Sequence, residues 1–401
     1  MTEQSQTALD ALIRQTLDEL LASPEQPAPW LTMFMLLARK RDARNLLSIV
    51  NTRMQRRGDP LTFIFTGLRE LHSAKADAEA LWVADLMLPN PATAPLALRA
   101  CGSVATRARA WASAGDLMRQ ASAALDRAVA AVPSDTIFRT QIAPLIAAQG
   151  RMIEAPEAIR SLRRPERSPA IEWLDPPPAD GALVLFACAD LKYLKLFGPG
   201  LAESFRRTQR ASSILHLHAV SNDAEAMTLL QAIKDTDGRI RTSIEWATGK
   251  SAYYACSRFL IAPQMFVRYP GRPLIGLDMD MILERPFDLL LTPTDMPDIG
   301  RFTLPDAVLP SLAPLACITL MNPTPAALDY VLRLDALIER NLELPCNWML
   351  DQAAIFSLER LNEIEPFYRL IDFSEIFEGY IGGFADLPKP EGKMDARLSN
   401  L

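Results

Sequence analysis

Residues 274–286, LIGLDMDMILERP, decide how the second half of the chain is read. Residues 273–277 have the composition of a short buried strand, and they run directly into Asp278-Met279-Asp280. Side chains at i and i+2 of extended backbone point to one side, so the two carboxylates are expected to converge on a single ligand. Open α/β sheets bind ligands at the carboxyl ends of their strands. Two hard oxygen donors at such a place suit Mg²⁺ or Mn²⁺, which also coordinate a diphosphate. An acidic pair alone is equally at home in a solvated turn; the strand in front of it favours the ligand role.

Outward from this stretch the pattern alternates. Residues 182–187 (ALVLFA), 214–220 and 240–246 read as further strands, and residues 223–233 and 251–267 as helices, with Ser251 available as an N-cap. The expectation for residues 181–401 is therefore an α/β, Rossmann-like domain with a mainly parallel sheet. His216 and His218 share one side of a strand, and with no third ligand nearby a buried, hydrogen-bonded role is the better reading.

Residues 166–180 hold Pro169 and Pro176 to Pro178, which block helix propagation, and read as a linker. Residues 1–165 read as helix throughout. In the first helix Leu9, Leu12, Ile13, Leu17, Leu20 and Leu21 follow a helical apolar spacing, and breakers such as Gly58-Asp59-Pro60 and Pro89-Asn90-Pro91 separate later segments. Stacked helical hairpins are the simplest all-α architecture. Ala121, Leu125, Ala128 and Pro133, after Gly115-Asp116, resemble the second helix of a tetratricopeptide repeat, and Ala80, Met87 and Pro91 echo it more weakly. An irregular helical bundle that only packs on its neighbour remains the alternative.

Four blocks in the second half, taken in order, resemble GT-A-type glycosyltransferases, the nucleotide-diphospho-sugar transferase superfamily, with family 8-like bacterial enzymes the most similar. They are the strand ending at Ala187 followed by CADLKYL, SAYYACSRFLIAPQMF, LDMDMILERPFDLL and NWMLDQAAIF. The resemblance implies transfer of a sugar from a nucleoside diphosphate donor, UDP-linked, with Mn²⁺ or Mg²⁺ held by Asp278 and Asp280. It further implies that Ala187 and Asp190 line the nucleotide, that Tyr193 stacks on the base and that Arg258 reaches the donor's sugar or phosphate. Asp351 and Gln352 would act where donor and acceptor meet. Two departures stand out: the family's Asn-Ala-Gly element would fall at Leu315-Ala316-Cys317, and no histidine follows His218 to act as a third metal ligand.

Composition narrows the classes. Of 401 residues 49% are hydrophobic, ordinary for a folded core, and the net charge of −6 argues against a nucleic-acid-gripping role. The start, MTEQSQTALD, lacks the features of a signal peptide, and no apolar run is long enough to span a bilayer. Five cysteines without Cys-X-X-Cys spacing fit a reducing, cytoplasmic setting. The expected partners are a nucleotide-sugar donor and a protein or glycan acceptor recognised with the helical domain. Two rivals are a phosphatase of the haloacid dehalogenase type, disfavoured because its acidic pair follows the first strand of the domain, and a helical-repeat adaptor with an inactive transferase domain.

Overall fold

The computed structural model describes residues 3–57, 60–74, 76–89, 152–154, 156–162, 165, 168–176, 183–290, 297–303, 313–344, 349–374 and 381–384. Contacts divide the chain into two compact units, Met1–Arg151 and Met152–Asn400.

In the first unit the described residues form α1 (Glu3–Ala22), α2 (Pro27–Lys40), α3 (Ala43–Arg57), α4 (Pro60–Ser73) and α5 (Asp77–Met87). Pro27 opens α2, where its fixed φ is already helical and its missing amide costs nothing. Arg41 closes the helix in the left-handed conformation (φ 57°), while the amides of Arg41 and Asp42 return to the carbonyls of Ala38 and Leu37. Asp42 then accepts the Asn45 amide (3.2 Å) and so starts α3. Trp30, Phe34, Leu37, Leu46, Ile64 and Leu71 fill the core, with the rings of Phe34 and Phe63 edge to face at 5.6 Å. Gly67 lets α4 lie against Phe34: a Cβ there would sit 2.5 Å from the ring.

The apolar face expected of α1 is only partly used. Leu9, Thr16 and Leu20 are buried, whereas Leu12, Leu17 and Leu21 are 50%, 45% and 68% exposed. At 100° per residue the first three share one narrow stripe and the others fall outside it. The repeat-like unit at residues 121–133 and Pro91 lie outside the described residues. Ala80 and Met87 are buried on α5.

The second unit runs α6 (Pro156–Ser161), β1 (Ile171–Trp173), β2 (Leu183–Asp190), α7 (Leu191–Thr208), β3 (Ser213–Val220), α8 (Ala224–Lys234), β4 (Ile240–Glu245), α9 (Ser251–Arg268), β5 (Leu274–Leu277), β6 (Met281–Leu283), β7 (Ile299–Thr303), β8 (Pro314–Met321), α10 (Pro325–Asn341), α11 (Leu350–Ile364), β9 (Leu370–Asp372) and β10 (Ile381–Phe384). Eight strands form one sheet in the order β1-β4-β3-β2-β5-β8-β7-β9. β2, β3, β4 and β5 are parallel, as helix–strand alternation requires, but β8 runs antiparallel between β5 and β7. The sheet is thus mixed: β7 and β9 are again parallel, whereas β8 and the edge strand β1 run antiparallel to their neighbours, which needs no crossover helix.

Period-two alternation splits β2 between the faces. Leu183, Leu185, Ala187 and Ala189 pack with Leu194, Phe197, Leu201 and Phe205 of α7 and with Leu230 and Ile233 of α8. α9 packs on β2 and β5, and α10 and α11 pack on α9. Ser251 does not cap α9: Lys250 holds that position without a side-chain bond, and Ser251 is the first helical residue.

The proline-rich stretch also builds the sheet. β1 lies within it and pairs antiparallel with β4, Ile171 opposite Glu245, and Asp175 accepts both the amide (2.8 Å) and the hydroxyl (2.9 Å) of Thr242. Upstream of it, the Glu154 amide donates to Ser357 of α11 (3.2 Å), and Arg333 of α10 donates to the Ile159 carbonyl.

Candidate active site

Asp278 and Asp280 lie just beyond the end of the strand. β5 ends at Leu277, and residues 278–281 form a turn in which the Met281 amide reaches the Asp278 carbonyl (3.3 Å). Met279 is drawn into the core under α7, which leaves the carboxylate on each side of it partly exposed. Met279 is thus an apolar anchor between two partly exposed carboxylates. The Asp278 amide donates to the Cys317 carbonyl of β8 (2.9 Å), which ties the turn to the sheet.

Arg258, on α9 and only 5% exposed, reaches this turn from the other side of the sheet. Its Nη1 lies 2.6 Å from Asp278 Oδ1, and its Nη2 donates to Asp351 Oδ2 at 3.0 Å. Nη1 also donates to the Ala255 carbonyl and Nη2 to the Ala316 carbonyl, both at 2.9 Å. The guanidinium carbon sits 4.7 Å from the Phe259 ring centroid. Burial opposes the charge on Arg258, but Asp278 and Asp351 outweigh it and hold its pKa above the usual value.

Asp351 and Gln352 open α11, where the helix dipole favours a carboxylate. Met349 precedes them in the left-handed conformation (φ 59°), and Asp351 Oδ1 accepts the Gln352 amide (2.9 Å). Burial pushes the Asp351 carboxyl up; Arg258 pulls it back, and Asp278 adds to the rise. Gln352 is 6% exposed and its side-chain oxygen has no hydrogen-bond partner among the described residues. A buried acceptor without a donor is costly and marks a place where a ligand group fits.

The remaining expected residues lie along β2 and the start of α7. Asp190 ends β2 and caps α7, accepting the Tyr193 amide (2.7 Å). The half-buried Tyr193 ring packs on Phe197 at 5.3 Å. Ala187 is fully buried among α7 and α8 side chains, on the face opposite α9, so its side chain offers packing and not a ligand surface.

Arg258, Asp278 and Asp351 are thus brought together, with Gln352 beside Asp351 and Asp280 across the turn from Asp278. The segment 315–317, which lacks the family's asparagine and glycine, still enters the site through its backbone: the carbonyls of Ala316 and Cys317 receive Arg258 and the Asp278 amide. No side-chain signal marks such contacts, since any residue supplies a carbonyl. His216 and His218 form no metal site. His216 bonds to Tyr269 (2.7 Å) and Ser243 (2.8 Å), and His218 to the same Ser243 hydroxyl (2.8 Å).

Among the described residues no cluster of three His, Cys, Asp or Glu side chains is placed to hold a metal ion. Asp278 and Asp280 fit part of an Mg²⁺ or Mn²⁺ shell as hard oxygen donors, with the rest left to diphosphate oxygens and water. A cavity lined by Asp175, Lys234, Asp235, Gly238 and Arg241 lies at the start of β4, away from these groups. No helix among the described residues is long and apolar enough to cross a membrane.

No known family profile matches the chain, and no curated protein matches it by sequence. Similar solved structures are glycosyltransferases. The apo structure of the bifunctional glycosyltransferase WbbM is 16% identical over 50% of this chain and 40% of its own, with a TM-score of 0.33. GlyE of Streptococcus pneumoniae TIGR4 is 17% identical over 49% of this chain and 47% of its own, with a TM-score of 0.34. The galactosyltransferase LgtC, solved with donor and acceptor sugar analogues, is 11% identical over 47% of this chain and 72% of its own, with a TM-score of 0.27. The match thus spans under half the length of the WbbM and GlyE chains.

Proposed function

We propose that the second unit transfers a sugar from a nucleoside diphosphate donor, UDP-linked, to a protein or glycan acceptor. The observation that carries this reading is the meeting of Arg258, Asp278 and Asp351, from α9, the turn after β5 and α11, with a buried, unpartnered Gln352 oxygen beside them. In this proposal Asp278 and Asp280 hold Mn²⁺ or Mg²⁺, which when bound neutralises charge developing on the diphosphate leaving group. The Gln352 oxygen accepts a hydrogen bond from a sugar hydroxyl of donor or acceptor and fixes its orientation. Asp351, ion-paired at the same point, keeps the first turn of α11 turned towards the carboxylate pair. Tyr193, whose amide is pinned by Asp190, stacks on the base, and Asp190 lines the nucleotide. The helical unit is assigned acceptor recognition and no chemistry, in a cytoplasmic protein.

A thermal-shift panel of nucleoside diphosphates and nucleotide sugars, with and without Mn²⁺, tests the reading. A true donor at a hundred times its dissociation constant stabilises the fold by about 2.7 kcal/mol. No stabilisation by any of them, in either condition, would overturn it. For the division of labour, a chain starting at Met152 keeps β1 and α6, which a chain starting at Pro176 would lose. The chain from Met152 is expected to bind donor and lose transfer to the natural acceptor; full transfer would remove the recognition role from the helical unit.

A further inference from the structure

We infer that Arg258 is a positioning residue, an internal bracket that holds Asp278 and Asp351 at one point, and not a ligand of the donor. The kinetic arm of its test rests on the function proposed above; the stability arm does not.

A guanidinium has five N–H groups, two on each terminal nitrogen and one on Nε. Each terminal nitrogen of Arg258 already faces two protein oxygens: Nη1 has Ala255 O and Asp278 Oδ1, and Nη2 has Ala316 O and Asp351 Oδ2. That leaves the Nε hydrogen, which is buried and has no partner among the described residues. A donor phosphate or sugar hydroxyl seeking a terminal nitrogen would have to displace a protein contact. The four oxygens come from α9 itself, the turn after β5, the middle of β8 and the first turn of α11. One planar fork therefore ties together three elements that no other described ion pair joins at this edge. Lysine, a single ammonium on a flexible stem, cannot span them.

Charge makes the bracket necessary. Asp351 is 8% exposed; burial first, and Asp278 as well, push its carboxyl up, and Arg258 pulls it back. Arg258 between them holds the two carboxylates at one point. Without it a buried carboxylate is left uncompensated, which is worse than the absence of the whole pair.

The test is a stability cycle on the full chain with no metal or nucleotide added. Arg258→Met, Asp351→Asn and the double variant are followed by thermal unfolding. Arg258→Met is expected to lower the midpoint, and adding Asp351→Asn to restore at least half of that loss, because it removes the uncompensated charge. A double variant no more stable than Arg258→Met overturns the bracket. If Arg258→Met does not fold, Arg258→Gln, also uncharged, supplies the same cycle. The second readout is hydrolysis of whichever nucleotide sugar the thermal-shift panel selects. Arg258→Lys is expected to lower kcat tenfold or more and to leave donor KM within threefold, the mark of misplaced groups rather than a lost donor contact. A tenfold rise in KM with kcat kept would make Arg258 a donor ligand and overturn the inference. Absence of turnover in the unaltered protein bears on the proposed function alone, since the unfolding cycle still decides the bracket.

Discussion

Two buried polar groupings sit under α9, and they are built on opposite principles. At the turn after β5, Arg258 meets Asp278 and Asp351, and the Gln352 oxygen and Arg258 Nε beside them lack partners among the described residues. Between β3 and β4, Tyr269, His216, Ser243 and His218 form a chain of short hydrogen bonds. Burial pushes the His216 pKa well below its usual value and that of His218 to about 3, so both rings are uncharged at neutral pH. A neutral network contributes rigidity even though His218 Nε2 has no hydrogen-bond partner among the described residues, whereas ion-pairing groups around an open acceptor suit a ligand. Burial of polar atoms alone does not distinguish a site from a scaffold; the gathering of oppositely charged residue types at one point does.

The largest separation between the two groupings is expected from the carboxylate pair. Asp278→Asn and Asp280→Asn should abolish Mn²⁺-dependent stabilisation by a nucleoside diphosphate while the fold without ligand stays near wild type, as thermal shifts would read. Undiminished metal dependence in both variants would return the turn to a surface role. Next, Gln352→Ala should reduce turnover by roughly a hundredfold with donor affinity largely kept, the cost of a misplaced reacting group. Normal turnover would show that its unpartnered oxygen has no part in the chemistry.

The histidine chain should answer in the opposite sense. His216→Leu leaves the buried Tyr269 hydroxyl without its partner and should cost about 2 kcal/mol in denaturant unfolding, with donor affinity unchanged. A selective loss of donor binding would break the comparison.

A third buried polar group sharpens it further. Asp335, on α10 and 3% exposed, has its carboxyl pushed up to about 8, by burial first and then by Glu339. Its folded pKa lies above its unfolded one, so its contribution is fully present below the unfolded pKa and is lost as pH rises through about 8. Asp335→Asn should flatten the fall in stability between the unfolded carboxylate range and that pH. An unchanged pH profile would show that Asp335 is paired in solution.

Much of this architecture is written in local pattern. The strands at residues 214–220 and 240–246 and the helix at 251–267 fall within a residue or two of β3, β4 and α9, because apolar periodicity and flanking breakers are local properties. Asp278-Met279-Asp280 was legible as a functional candidate for the same reason: an apolar strand running into acids is visible without any fold. What anchors it was not. Met279 buried under α7 and the Cys317 carbonyl bonded to the Asp278 amide hold the turn, and both depend on what it packs against. Likewise Pro176 to Pro178 signal a break, but β1 just before them joins the sheet because β4 offers an unpaired edge.

The sequence by itself determined the composition of the site, namely which residues carry charge and where a strand delivers them. Only the tertiary structure decided their partnerships. Arg258 meets Asp351 across 93 residues and Ala316 across 58, and separations of that size leave no periodic trace in the chain. Nor does residue type announce that Ala316 and Cys317 enter the site through carbonyls, or that Leu12, Leu17 and Leu21 of α1 stay exposed while Leu9 and Leu20 are covered. Side-chain chemistry is a local property, but burial, pairing and the charge state that follows from them are set by neighbours distant in sequence.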